Sequence, residues 1–330
     1  MSALLNAWVL VLNGRESEVP RVCNFDTDPL ASLGTAPTEP FTLAKRQLTG
    51  FNMFYFSLRY IFDLVCYRDS QRTIYIPAYH IQAMKEAALD KLGAGTPTEK
   101  QQATISRPFL SDGDILCAFL TRLAVKNHPP TSTRQIGILN AFNLRPALSS
   151  SSLPPAAGVC LSNAVFVVSA FATVRDILSK PLGYTASLVR SSIIEQGTRV
   201  QVEALAALTR EAVEKTGRPP VFGDGGTRLV IFSNWTKARF FKLDFGAAVV
   251  GGEKHVGQDS TMQVKPSFVN LTGESNGLSP RGSWPILGME EGGGYWVQGN
   301  LRSDLWKGVE KELVEMTTAS DGIKLGFSDK

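Results

Sequence analysis

The stretch from Ile231 to Gly246, Ile-Phe-Ser-Asn-Trp-Thr-Lys-Ala-Arg-Phe-Phe-Lys-Leu-Asp-Phe-Gly, constrains the fold of this chain more than any other. An apolar run ends in a cluster of hydroxyl and amide side chains beside Trp235, which reads as a strand whose tip carries hydrogen-bonding groups. Asp244-Phe245-Gly246 then reads as a tight turn, with a carboxylate in need of a partner and an aromatic anchor for the core. The meaning of such a strand depends on what the rest of the chain supplies.

Alternating apolar residues predict strands at 72–77, 135–141, 161–172 and 295–301, with a hairpin-like turn around 290–294. Helical spacing places helices at 80–92, 174–195 and 200–215. A last helix, capped by Ser303, carries Leu305, Val309, Leu313 and Met316. Ser111 and Asp114 form a capping-box pair ahead of Ile115, Leu116, Phe119, Leu120 and Leu123. Residues 41–65 are dense in aromatics and predict a core helix or buried connection. Leu4, Leu5, Trp8, Val9, Val11 and Leu12 share one helical face, with Asn13-Gly14 as its stop, and read as the first turns of a core helix. The polar segment 93–106 reads as a crossover linker, which divides the chain into units 1–92 and 107–330. Strands mixed with crossing helices suit an α/β class of mixed sheets.

Composition narrows the function. A net charge of +4, scattered along 330 residues, argues against nucleic acid and anionic membranes as partners. No apolar stretch approaches the length of a membrane span. Cys23, Cys66, Cys117 and Cys160 lie far apart beside apolar segments, as buried free thiols of a reducing, cytoplasmic compartment do. With three histidines, metal chemistry has few ligands to draw on, and no metal is expected.

Several segments together resemble the BAHD-type, acyl-CoA-dependent acyltransferases, closest to the fungal branch that decorates secondary metabolites. Leu4-Leu5-Asn6-Ala7-Trp8 resembles the helix after the family's His-x-x-x-Asp-Gly motif, and 111–123 its Ser/Asp-led helix. Asn143-Leu144-Arg145-Pro146 resembles the Arg-containing strand end, and Ser162-Asn163-Ala164-Val165 the Phe-Gly-Asn-x-Val element. Ser233-Asn234-Trp235 is similar to the Ser-x-Trp strand, and Asp244-Phe245-Gly246 to the start of Asp-Phe-Gly-Trp-Gly, although Ala247 and Ala248 replace its last two residues.

The resemblance implies a chloramphenicol-acetyltransferase-like two-domain fold whose first domain is incomplete here. It implies acyl-CoA as co-substrate with no tightly bound cofactor, a small-molecule hydroxyl or amine as acceptor, and a monomer. Ser233 and Trp235 would line the tunnel at the reacting carbon, Ser233 and Asn234 would contact the CoA ester, and Ser233 would donate to the oxyanion. Arg145 would pair with Asp244, with Asn163 and Gly246 as further structural positions. The family's catalytic His and its Asp would precede the residue matching Met1, so the expected site has no catalytic base in this chain. That truncation leaves two readings: an acyltransferase whose sequence extends upstream, or a non-catalytic acyl-CoA-binding or partner protein derived from the family. His255-Val256-Gly257-Gln258-Asp259 spells His-x-x-x-Asp but stands after the Asp-Phe-Gly turn, out of family order, and reads as a coincidence.

Overall fold

The computed structural model describes residues 2–23, 28–93, 109–148, 159–160, 163–249, 263–271 and 281–318. Its frame is one six-stranded mixed sheet of order β2-β8-β7-β6-β3-β5, made by β2 (Asp69–Ile76), β3 (Gln135–Asn143), β5 (Val165–Thr173), β6 (Arg228–Asn234), β7 (Ser283–Met289) and β8 (Tyr295–Arg302). A two-stranded parallel pair, β1 (Val22–Cys23) and β4 (Val159–Cys160), lies apart. The helices are α1 (Ser2–Leu12), α2 (Gly50–Cys66), α3 (Ala78–Gly93), α4 (Asp112–Val125), the single turn α5 (Arg145–Leu148), α6 (Val174–Ser179), α7 (Leu182–Gln196), α8 (Arg199–Thr216) and α9 (Trp306–Thr318).

β6 is central, parallel to β3 on one side and to β7 on the other. Val230 and Phe232, which alternate inward along it, are fully buried. The 290–294 turn forms as expected. Glu290 N–H donates to the Gly294 carbonyl at 3.0 Å, and Gly293 takes the left-handed conformation (φ 81°) that closes it. The expected helix over 174–195 is split, because Pro181 precedes the first turn of α7 and cannot continue α6.

α4 is the core helix, and its capping box forms as read: Ser111 Oγ accepts from Asp114 N–H, and the Asp114 carboxylate accepts from Ser111 N–H at 2.7 Å. Its apolar face packs with Ile74, Ile76 and Ile81, which come from β2 and α3. The same core therefore draws on residues from both sides of the 93–106 segment, of which 94–106 lie outside the described residues. β2 also pairs with β8 along its whole length.

Two expectations of burial fail. α1 and α2 form at the expected places, but neither buries a residue. Leu4 and Trp8 are more than half exposed, as are Phe51, Phe54, Leu58, Ile61, Phe62 and Val65 on α2. Only the approach to α2 is buried, through Phe41 and Leu48. Among the described residues these apolar faces are only sparsely covered, α1 by the contact of Trp8 with Phe245, and helical periodicity records an apolar face without recording its cover. Cys117 and Cys160 are buried free thiols as expected, whereas Cys66 is exposed at the end of α2. No helix among the described residues is long and apolar enough to cross a membrane.

Candidate functional site

The C-terminal tip of β6 is where polar groups collect. Ser233 pairs with Pro285 across the parallel ladder, and the following Trp235 N–H donates to the Ile286 carbonyl at 2.8 Å, which fixes the turn. Trp235 Nε1 donates to Ser233 Oγ at 2.8 Å. That bond occupies an acceptor lobe of the hydroxyl and leaves its own proton to donate elsewhere. Asn234 closes an Asx turn by accepting from Thr236 N–H at 2.9 Å. The sequence thus supplies three consecutive residues whose side chains fold back on the strand end and hold one another in place. Phe240 meets the Trp235 ring edge-on at 5.9 Å and fastens the indole.

The first turn of α4 stands directly over this tip. A Cβ at Gly113 would come to 3.0 Å of Asn234 Nδ2, so any larger residue there would make the Asn234 side chain give way. That turn is held from three sides. Asp112 accepts from Lys85 Nζ at 2.8 Å and from Tyr295 Oη at 2.9 Å, tying α4 to α3 and β8. Burial and then Asp112 push the Tyr295 hydroxyl well above its ordinary range, so it stays a donor. Behind it, the fully buried Asp114 receives Arg190 Nε at 2.9 Å, while Arg190 Nη2 reaches Ser111 Oγ at 2.7 Å. Sequence reading found the capping box and missed Arg190, which lies 76 residues away on α7. Cys117, one turn on, donates to Asn140 at 3.0 Å, and its thiol is pushed far up by burial, so it is inert.

Beyond Trp235 the chain lines a cleft of about 630 Å³ with Lys237, Arg239 and Lys242, closed on the far side by Ser2 and Asn6 of α1. Arg239 is the one non-glycine residue with positive φ (53°) among the described residues, in the left-handed region that a side chain enters at a cost. The three cations escape a reading based on net charge, because they become neighbours only when 236–243 folds into two short 3-10 turns.

Asp244 does not meet Arg145. Its Oδ1 accepts from Gly246 N–H and Val264 N–H, both at 2.9 Å, and these two bonds, with Lys265 nearby, hold its carboxyl below the usual carboxylate range. Arg145 instead reaches Asn143 Oδ1 and the Cys160 carbonyl at 3.1 Å, tying the end of β3 to β4. The two therefore do not pair: the Asp244 carboxylate takes one backbone donor from its own turn and one from Val264, twenty residues on. Gly246 lies in that turn through its N–H bond to Asp244, and Phe245 meets Trp8 of α1 edge-on at 5.8 Å. Asn163 is exposed ahead of β5. His255 to Asp259 lie outside the described residues. The other histidines are not at the tip: His80 is buried in α3, and His128 sits beside Arg228 at the opposite end of β6.

Comparison with known proteins places this geometry. A family model described as the Transferase family matches residues 70–274. The chain is 37% identical over 316 residues to the transcriptional regulator calD of Penicillium decumbens, covering 94% of this chain and 62% of that protein. It is 34% identical over 324 residues to the acetyltransferase sphE of Aspergillus fumigatus, covering 96% and 62%. It is also 30% identical to the O-acyltransferase pboC of Aspergillus ustus, covering 94% and 63%. The chain spans less than two thirds of the length of these curated relatives. Among solved structures, TRI101 of F. sporotrichioides, complexed with coenzyme A and T-2, superposes with a TM-score of 0.63 at 16% identity, over 96% of this chain and 63% of that one. Vinorine synthase superposes with a TM-score of 0.52. The shared fold is the mixed-sheet, chloramphenicol-acetyltransferase-like architecture expected from the sequence.

Proposed function

The chain belongs to the Transferase family of BAHD-type acyltransferases, and from that membership we propose that it serves acyl transfer from acyl-CoA to a hydroxyl group of a secondary metabolite. The observation that carries this reading is the tip of β6. There a serine hydroxyl, its lone pair engaged by the Trp235 indole, keeps its proton available beside a cleft of three cations.

Acyl transfer from a thioester passes through a tetrahedral intermediate whose oxyanion needs fixed donors. Ser233 Oγ–H is such a donor, held in place before substrate arrives. The Lys237, Arg239 and Lys242 cleft suits the phosphates of a CoA ester, since clustered cations attract a polyanion into a confined space. Asn234 Nδ2, beside Gly113, is placed to hydrogen-bond an amide of the CoA arm. Acyl-CoA is thus a co-substrate, and no tightly held cofactor is needed. The attacking hydroxyl must lose its proton to a base. Among the described residues no histidine stands at this tip, and the reading assigns the base to the family's His-x-x-x-Asp element and not to 255–259. The remaining proposals follow from the same reading: two units meeting across 93–106, a monomer, and a cytoplasmic place of work.

The test joins binding to turnover. Calorimetry with acetyl-CoA and thioester consumption are measured on the 330-residue chain and on the chain joined to upstream sequence bearing His-x-x-x-Asp. The expected result is binding by both and turnover by the second alone. In that second protein Ser233→Ala should lower turnover by about 10²–10³-fold with CoA affinity kept. Absence of CoA binding by either protein would reject the proposal.

A further inference from the structure

The opposite end of β6 carries a second cavity, of about 580 Å³, between α2 and the start of the strand. It lies five residues from Ser233 along β6, roughly 17 Å at the usual strand rise. Arg59, Arg134, Arg228, Arg281 and Arg302 all line it, with Asp63 as its lining carboxylate.

The five guanidiniums are not equivalent. Arg281 is satisfied: it pairs with Asp63 at 2.9 Å and with Asp69, and donates to the Tyr67 carbonyl at 2.8 Å. Arg302 is satisfied as well, by a two-pronged bond to Asp304 at 2.7 and 3.0 Å and by stacking on Tyr67. Arg59 donates to the Tyr55 hydroxyl at 2.9 Å and lies over its ring. The inner two differ. Arg134 donates Nε to the neutral Gly226 carbonyl at 3.0 Å, and Arg228 donates Nη1 to His128 Nε2 at 3.0 Å. No carboxylate among the described residues forms an ion pair with either, and the buried Arg228 Nη2 has no hydrogen-bond partner.

His128 cannot neutralise them. Burial first, and then Arg228 and Arg134, push its pKa down to about 4, so at neutral pH it is an uncharged acceptor. Arg228 stays protonated although burial and Arg134 lower its pKa to about 10. Arg134 and Arg228 are half-buried, and Asp63, which acts on both at longer range, is already paired with Arg281; cations drawn partly out of water without an ion-pair partner of their own are costly. An oxyanion would pair both, since a guanidinium fork matches a carboxylate or phosphate edge. α2 contributes apolar surface to the same lining through Phe56, Leu58 and Phe62, beside Arg59 and Asp63. The volume falls within the range of small-molecule sites.

We propose that this cavity binds a small organic anion, its carboxylate or phosphate held between Arg134 and Arg228 and its apolar body against Phe56, Leu58 and Phe62. The site is independent of the acyl-transfer site at the other end of β6 and does not rest on that reading.

Calorimetry on the 330-residue chain with benzoate, phenyl phosphate and inorganic phosphate tests it. The expected result is saturable 1:1 binding of an aromatic probe, with inorganic phosphate at least about tenfold weaker, a difference of about 1.4 kcal/mol. Whichever aromatic probe binds more tightly tells carboxylate from phosphate. Arg134→Met should weaken that probe at least about tenfold and Arg134→Lys less, because the lysine keeps the charge and loses the fork. Should Arg134→Met fail to fold, Phe62→Ala on the exposed face of α2 carries the test, lowering affinity for the aromatic probe and not for inorganic phosphate. Lys237→Gln, in the separate cleft assigned to CoA phosphates, should leave the affinity of this cavity for the aromatic probes unchanged. No saturable binding of any probe up to about 10 mM would overturn the proposal, since that limit corresponds to less than about 3 kcal/mol. Equal affinity for all three probes with no effect of Phe62→Ala would also overturn it, as would binding that Lys237→Gln abolishes.

Discussion

α2 and α4 are both apolar helices, and they end in opposite environments. α4 buries eleven of its fourteen residues, among them Ile115, Leu116 and Leu120 with no exposed surface. α2 buries none of its seventeen, although its sequence holds six aromatic residues. Their amphipathic patterns explain part of this, since α4 carries apolar residues nearly all round whereas α2 gathers Phe51, Phe54, Leu58, Ile61, Phe62 and Val65 on one stripe. The rest is a matter of neighbours. α4 is wedged between the sheet, α3 and α7. α2 touches the fold through a cavity rim, where Asp63 reaches Arg281. Aromatic content alone therefore says little about a helix's contribution to stability. Cover decides it.

The sharpest way to break this comparison is a matched truncation. Leu120→Ala should cost about 3 kcal/mol in urea unfolding, the transfer and cavity cost of a buried leucine. Phe54→Ala on α2 should stay within about 0.5 kcal/mol of wild type. Equal losses would mean that α2 is covered in solution.

A similar loss is expected where α4 meets α7. Arg190→Met leaves the buried Asp114 carboxylate without its cation, and removing one partner of a buried pair typically costs about 3 kcal/mol. Unfolding by urea measures it. A near-neutral result would show that the two capping bonds from Ser111 suffice for Asp114 alone.

Asp244 should matter less, in a pH-dependent way. Its folded pKa is lowered by the Gly246 and Val264 N–H groups, so its contribution is present above the unfolded value near 3.8 and is lost as pH falls through the folded pKa. Asp244→Asn should lower Tm modestly at pH 6, and the gap to wild type should close on titration below about pH 4. A gap that persists in acid would assign the effect to geometry and not to charge.

The smallest effect concerns the surface itself. Phe62→Ser should leave the unfolding free energy from urea titration within about 0.5 kcal/mol of wild type, because the side chain it removes is largely exposed.

Much of the frame was legible in the chain itself. Alternation located β2, β3, β5 and β8, and the turn at 290–294 forecast the β7–β8 hairpin. Ser111 and Asp114 announced the start of α4, and Gly14, at φ 68°, ends the first helix where Asn13-Gly14 was read as a stop. At the candidate site, Ser233, Asn234 and Trp235 were picked out by type and position, and their mutual hydrogen bonding is a local consequence of being consecutive at a strand end. The partners were not legible where they are distant in sequence. Arg190 for Asp114 and Val264 for Asp244 are long-range contacts that periodicity does not encode. The pairing of Arg145 with Asp244 was implied by the family resemblance, and the structure gives each of them other partners.

By itself, then, the sequence determined what is local: element types, caps, turns, and a strand tip of serine, asparagine and tryptophan. These depend on steric preferences and on hydrogen bonds spanning a few residues, which any surroundings leave largely intact. Only the tertiary structure decided which apolar helix is covered, which carboxylate meets which donor, and that Lys237, Arg239 and Lys242 share one cleft while Arg134 and Arg228 share another. Burial and the balance of charge are properties of neighbours in space, and the chain order names those neighbours only after the sheet has brought them together.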